Sequence, residues 1–243
     1  MGDHQRSDTA FLRADGLTKR FGQFTALDDV DLAVDRGETV AILGPNGAGK
    51  STLLRLLATL SRPTAGSLTL DGDDLTTESS LRAHLGLVGH DSLLYDDLTA
   101  RENLTLHGRL HGISDITSRR EDLLEQVGLR SRGSERPDLF SHGLRKRLSL
   151  ARALVHDPAV LLLDEPHSGL DRQSADRFDE ILDGFTSRTV LLTTHDLAVA
   201  TRHATRAVLL NRGERCGSVD LTTVEDPAVL ERRYDAALGG EGR

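Results

Sequence analysis

An α/β architecture is predicted, with a mostly parallel sheet, an added antiparallel β layer and an inserted helical subdomain. Three features of the sequence point there. Apolar runs of strand length, Val40–Leu43, Ala159–Leu163 and Thr189–Thr193, alternate with helix-patterned segments, as in parallel strands buried on both faces. From about Leu98 to Val155 the apolar residues fall at helical spacing, so a helical lobe interrupts that alternation. Phe11–Leu17, Ala26–Val34 and Ser67–Leu70 are short strand-like pieces near the first apolar run, enough for a separate β layer.

In chain order, Phe11–Leu17 and Ala26–Val34 are expected as strands separated by Lys19-Arg20-Phe21-Gly22. Val40–Leu43 ends in a glycine-rich turn, and Lys50–Thr59, with leucines at 53, 54, 56 and 57, reads as a helix with a wide buried face. Ser67–Leu70 runs into Asp71-Gly72, a tight-turn pair. Arg119–Val127 and Leu144–Val155 are helical, Ala159–Leu163 is a strand and Ala175–Phe185 a helix. Thr189–Thr193 and Ala207–Leu210 are further strands, before a polar, helix-prone tail from about Asp226. The expected organisation is one domain over 1–225, its helical subdomain at about 92–156, and a tail over 226–243.

The 243 residues carry 30 Lys+Arg against 38 Asp+Glu, a net charge of −8 that argues against general nucleic-acid affinity. No apolar run reaches the roughly 18–20 residues of a membrane span, and Met1–Ala10 has no apolar signal core. Cys216 is the single cysteine, which excludes an internal disulfide framework and a multi-cysteine zinc site; a cytosolic setting is expected. Lysine is scarce, with Lys19, Lys50 and Lys146 the only three, so a lysine inside a motif is informative.

Gly44-Pro45-Asn46-Gly47-Ala48-Gly49-Lys50-Ser51, followed by Thr52, fits G-x-x-x-x-G-K-[ST] between a strand and a helix. The glycines let consecutive backbone N–H groups curl around phosphate oxygens, and the helix N-terminus adds a positive field. Lys50 would neutralise the β- and γ-phosphates of a nucleoside triphosphate, and the Ser51 hydroxyl would ligate Mg²⁺. The pattern implies a P-loop nucleoside-triphosphatase core. Val160–Leu163 leads into Asp164-Glu165: Asp164 can reach the Mg²⁺ shell, usually through water, and Glu165 can polarise the attacking water. His195 follows the next apolar strand and is a candidate γ-phosphate contact, the alternative being a structural histidine.

With these motifs in this order, together with Ser168-Gly169-Leu170-Asp171, the chain resembles the ATP-binding subunits of ABC (ATP-binding cassette) transporters over roughly Phe11 to Arg215. The resemblance places Phe21 at the adenine-stacking position, the alternative being a ring that covers the β layer. It matches Phe140-Ser141-His142-Gly143-Leu144 to the family's signature loop, Leu-Ser-Gly-Gly-Gln, from which Phe140, His142 and Leu144 depart. Ser141 and Gly143 would face the ATP held by the opposite subunit. The expected partners are a second ATP-binding subunit, in a homodimer or pseudo-symmetric dimer, and integral membrane permease subunits; the implied location is the cytoplasmic face of the membrane. His90 stands where the family usually carries a glutamine, so its part in Mg²⁺ sensing stays open. Gly89-His90 and the Leu98-Thr99-Ala100-Arg101-Glu102-Asn103-Leu104 run are similar to the heme-exporter ATPase of cytochrome c maturation. Drug, polysaccharide and other export systems share most of these features. A soluble ABC ATPase of translation or DNA repair is disfavoured by the single cassette and the lack of heptads. A P-loop kinase would leave Ser141–Leu144 without a purpose.

Overall fold

The computed structural model describes residues 10–184, 188–224, 227–237 and 239. In chain order the elements are β1 (Leu12–Phe21), β2 (Phe24–Val34), β3 (Thr39–Leu43), α1 (Lys50–Leu57), β4 (Ala65–Leu70) and β5 (Asp73–Asp74). They continue with β6 (Leu85–Val88), α2 (Ala100–Leu110), α3 (Ile116–Gln126), α4 (His142–Leu154), β7 (Val160–Asp164) and α5 (Arg172–Asp183). The last are β8 (Thr189–Thr194), α6 (Leu197–His203), β9 (Arg206–Asn211), β10 (Glu214–Asp220) and α7 (Pro227–Ala237). The chain divides into two compact units, Met1–Arg82 with Arg188–Arg243, and Ala83–Ser187.

The first unit holds two sheets. β3 pairs in parallel with β8 on one side and β9 on the other, and β10 adds antiparallel to β9. β3 and β8 are apolar apart from their threonines and buried almost throughout, because strands covered on both faces have no polar side to present. The second sheet is antiparallel, in the order β2-β1-β4-β5. Here β1 runs further than the sequence suggests: Lys19, Arg20 and Phe21 pair with Leu27, Thr25 and Phe24, leaving only Gly22-Gln23 as the turn. That end of the ribbon is largely exposed, so polar residues are compatible with strand pairing. Asp71 (φ 54°) and Gly72 (φ 90°) form the two-residue turn between β4 and β5, both left-handed as a type I′ turn demands.

Helix α1 buries Leu53, Leu54, Leu56 and Leu57 completely, each contributing about 1.5–3 kcal/mol of apolar burial. It stops at Leu57, short of the expected Thr59. The Leu60 N–H reaches the Arg55 carbonyl at 2.9 Å and the Thr59 N–H that of Leu56 at 2.9 Å, with Thr59 at φ 56°. This is a Schellman closure with a β-branched residue in the place glycine usually takes.

In the second unit β6 and β7 pair in parallel, from Leu85 opposite Val160 to Val88 opposite Leu163. Between residues 92 and 156 the regular elements are α2, α3, α4 and short 3₁₀ turns. Thr99 and Glu102 close a reciprocal capping box at the start of α2, and the Glu102 carboxyl is held below its ordinary pKa by the Thr99 hydrogen bonds. Fully buried Asn103 donates to the carbonyls of Tyr95, Leu98 and Thr99 and accepts from the Tyr95 N–H. Helix α4 turns a polar stripe toward the chain around β6. Ser149 Oγ donates to the Ser92 carbonyl (2.9 Å) and Arg152 to that of Leu87 (2.6 Å). Gly86 admits this approach, since a Cβ there would lie 2.7 Å from the Ala153 carbonyl oxygen. Of the expected Ala175–Phe185 helix, α5 covers all but Gly184, a turn residue, and Phe185, which lies outside the described residues, as does Asp226 at the start of the expected tail.

Candidate functional site

In the first unit, the loop from Gly44 to Gly49 leaves β3 and enters α1. Two of its glycines are required by what surrounds them. A Cβ on Gly44 would sit 2.3 Å from the Leu210 carbonyl oxygen, and one on Gly49 2.7 Å from that of Ala26. Gly49 also adopts φ 102°, a region L side chains rarely enter. As the residue before α1 it supplies no side-chain cap, and no acidic residue occupies the first turn. The helix entrance therefore keeps the positive field and N–H groups suited to an anion. Ala48 is buried, Pro45 and Thr52 are half-buried, and Asn46, Gly47 and Ser51 are exposed. Lys50 is buried, its ammonium folded back onto the carbonyls of Gly44 (2.7 Å) and Pro45 (3.3 Å).

His195 lies close by in the fold: Leu43 and Thr194 are direct partners in the parallel β3–β8 ladder, so the phosphate loop and His195 leave neighbouring strand ends. His195 is exposed, and Asp196 beside it caps α6 through the Ala198 N–H at 2.8 Å. Phe21 is 54% exposed at the tip of the β1–β2 hairpin, opposite Phe24, with the Lys19 ammonium 5.0 Å from its ring centroid. It is not a core residue. The same hairpin reaches the phosphate loop through Ala26 and Leu27, which crowd Gly49. Gly213, not anticipated from the sequence, ties them further: its N–H donates to the Ala48 carbonyl (3.0 Å) and its carbonyl accepts from the Asp28 N–H (2.9 Å).

In the second unit, the residues following β6 and β7 are brought side by side by their register: Gly89-His90 after Val88, and Asp164-Glu165 at the end of β7. Asp164 is 6% exposed, Glu165 half-buried and His90 exposed. Glu165 adopts φ 45°, unusual for a residue with a side chain and costing about 1–3 kcal/mol unless the surroundings hold it. Ser141 caps α4, its hydroxyl accepting from the Leu144 N–H at 3.4 Å. Gly143 is buried; a Cβ there would stand 2.5 Å from Ser174 Oγ. His142, left without a role by the sequence, is exposed, with its Nε2 within 3.1 Å of the Ser168 carbonyl oxygen. Asp171 caps α5 through the Ser174 N–H (2.8 Å), a bond that holds its carboxyl below the usual range.

Lys146, to which sequence reasoning gave no role, lies against the ends of β6 and β7. It is 6% exposed, and its ammonium faces the carbonyls of Glu165 (3.4 Å), Asp164 (3.5 Å) and Gly89 (3.5 Å). Burial pushes its pKa down, opposed by the Asp164 and Glu165 carboxylates. The available signal was the scarcity of lysine in this chain.

A family model described as ABC transporter matches residues 27–168. A daunorubicin resistance ATP-binding protein of Streptomyces coeruleorubidus is 43% identical over 214 residues, covering 85% of this chain and 67% of the relative. A sulfate/thiosulfate import ATP-binding protein of Synechococcus elongatus is 42% identical over 209 residues, covering 83% of this chain and 61% of the relative. Among solved structures, a dimeric ATP-binding cassette in a post-hydrolysis state with ADP and Pi superposes with a TM-score of 0.79 at 28% identity, covering 86% of this chain and 98% of that one.

Proposed function

The chain belongs to the ABC transporter family as an ATP-binding subunit and ABC-type ATPase, and from that premise we propose that it powers transport by closing on a second copy around Mg²⁺–ATP. The observation that carries this reading is the uncapped entrance to α1, where backbone crowding enforces glycine at 44 and 49. Residues Gly44–Thr52 cradle the phosphates and Lys50 swings from its carbonyl partners onto the β- and γ-phosphates. Phe21 stacks on adenine, for which its exposure suits it. Ser51 and Asp164, with the hard oxygen atoms Mg²⁺ takes, are the residues that would hold it, and a bound Mg²⁺ would supply charge to offset that of the phosphates. Glu165 polarises the attacking water and His195 steadies the γ-phosphate. Ser141 and Gly143, at the start of α4, complete the site of the other copy. The solved dimer with ADP and Pi, similar to this chain, supports the paired arrangement.

No described helix is long and apolar enough to cross a membrane. Because such an arrangement is typical of the family, the reading includes separate permease subunits and a place on the cytoplasmic face of the membrane.

Two cargo readings have support. Heme export is favoured by Gly89-His90 and the Leu98–Leu104 run, but much of that run has a structural explanation. Thr99 and Glu102 form the capping box, Asn103 ties residues 95–99 and Leu104 is core. A drug-type export cargo is favoured by the 43% identity to the daunorubicin resistance protein. A relative named for sulfate import is 42% identical, so identity by itself does not choose between cargoes. The test is ATPase rate with the cognate permease in lipid vesicles, titrated with heme or with an anthracycline. At least a twofold stimulation by one and not the other selects that cargo; a rate unaffected by any permease defeats the transport reading.

A further inference from the structure

We propose that Lys146 is a positioning residue for hydrolysis: its ammonium fastens the backbone of Glu165, Asp164 and Gly89 to α4, the helix that Ser141 caps. The proposal rests on the ATPase reading above and concerns one compact unit, since Gly89, Ser141, Lys146, Asp164 and Glu165 all fall within Ala83–Ser187.

The geometry is specific. An ammonium has three N–H donors and no acceptor, and three carbonyl oxygens stand 3.4–3.5 Å from Lys146 Nζ. Those carbonyls lie where the β6–β7 pairing ends, one or two residues past the Val88–Leu163 pair. Glu165 is already in left-handed backbone at φ 45°, which sets the direction of its side chain. Its carbonyl is shared between Lys146 and the Ser168 N–H at 3.1 Å, while the Ser168 carbonyl meets His142. The opening turns of α4 thus grip the 165–168 turn at both ends, through His142 and Lys146. The same turns carry Ser141 and Gly143.

A lysine used only for solubility would extend its amine into water. Lys146 instead places a desolvated charge against backbone dipoles, and arginine's flat fork would not converge on three carbonyls in the same way. The consequence is mechanical. A displacement of the first turns of α4 is transmitted to the backbone of Glu165 and to the loop that carries His90.

The test uses the full-length chain with Lys146→Met, which keeps the stem and removes the donors, and Lys146→Gln, which restores two N–H groups. Lys146→Met is expected to lower kcat about 10–100-fold, the scale for a catalytic group displaced by about 1 Å, with KM for ATP within about threefold. Lys146→Gln is expected to recover at least a third of wild-type kcat. Backbone amides of His90, Glu165 and Ser168 are expected to exchange with deuterium at least about tenfold faster in Lys146→Met, with α5 unchanged. Wild-type turnover in Lys146→Met, a rise in KM matching the fall in kcat, or wild-type exchange at these amides would each overturn the proposal. If Lys146→Met does not fold, Lys146→Ala, which also removes the donors, decides by the same exchange measurement. A wild-type protein that hydrolyses no ATP would remove the ATPase reading, and the exchange rates would then judge the Lys146 clamp by themselves.

Discussion

Acidification should weaken the helical unit through three histidines. His111 and His156 stack with ring centroids 3.9 Å apart and planes at 7°, and His107 lies one turn before His111 on α2. Burial, with smaller contributions from the Arg152 and His111 charges at His107 and from the His111 charge at His156, pushes the pKa of both rings down from 6.5 to about 4. His111 is lowered in the same direction, by burial and then by Arg152. His107 Nε2 and His156 Nδ1 are shut from water with no hydrogen-bond partner, so a proton on either would find no acceptor. Since the folded pKa lies below the unfolded one, the unfolded chain binds more protons between pH 6.5 and about 4. Stability is therefore retained above pH 6.5 and lost as pH falls through that window.

A fully buried ring with such a pKa would lose about 3 kcal/mol across the window. These rings are half-buried, and solvent screening reduces that to about 1–2 kcal/mol each. From pH 7.5 to 5 the pair should cost about 2 kcal/mol. The assay is urea unfolding of the wild type and of His107→Gln/His156→Gln at both pH values, the difference between the two proteins removing the contribution of the carboxylates. A difference below about 0.5 kcal/mol would refute the reasoning.

Gly49→Ala should destabilise by about 2–4 kcal/mol, from positive φ and a 2.7 Å approach to the Ala26 carbonyl oxygen; a change under about 0.5 kcal/mol in urea unfolding would contradict that crowding. Phe21→Ala should weaken ATP binding about three- to tenfold by fluorescence titration while leaving the melting temperature alone, because the ring is exposed. Unchanged affinity would return Phe21 to a role in the β layer. His195→Ala should slow turnover more than tenfold with ATP affinity within about threefold; near-normal turnover would remove it from the hydrolytic group.

Legibility in the sequence followed the range of the physics. The loop from Gly44 to Thr52 was readable because its chemistry needs residues at fixed local spacing, and Gly44 and Gly49 stand where a side chain would strike backbone. β7 was readable because burial of the whole strand leaves a continuous apolar run. β10 was not, since it pairs through its backbone with Val219 its one buried residue, and no apolar alternation results. α6 is too short for a period to show, and Gly86 makes β6 look interrupted although glycine is what lets α4 approach. The partners of Lys146 lie 57, 18 and 19 residues away, beyond any local pattern. The Leu98–Leu104 run marked a helix start more strongly than a cargo.

Central to the proposed function is a nucleotide shared between two copies, and cysteine crosslinking tests it directly. Asn46 and Ser141 are both exposed, and exposed Cys216 is the single native cysteine, to be replaced by serine. With Asn46→Cys and Ser141→Cys on separate copies that also carry Glu165→Gln to stop hydrolysis, saturating Mg²⁺–ATP is expected to yield a disulfide-linked dimer that ADP does not support. A variant that binds ATP yet stays uncrosslinked and monomeric would contradict it.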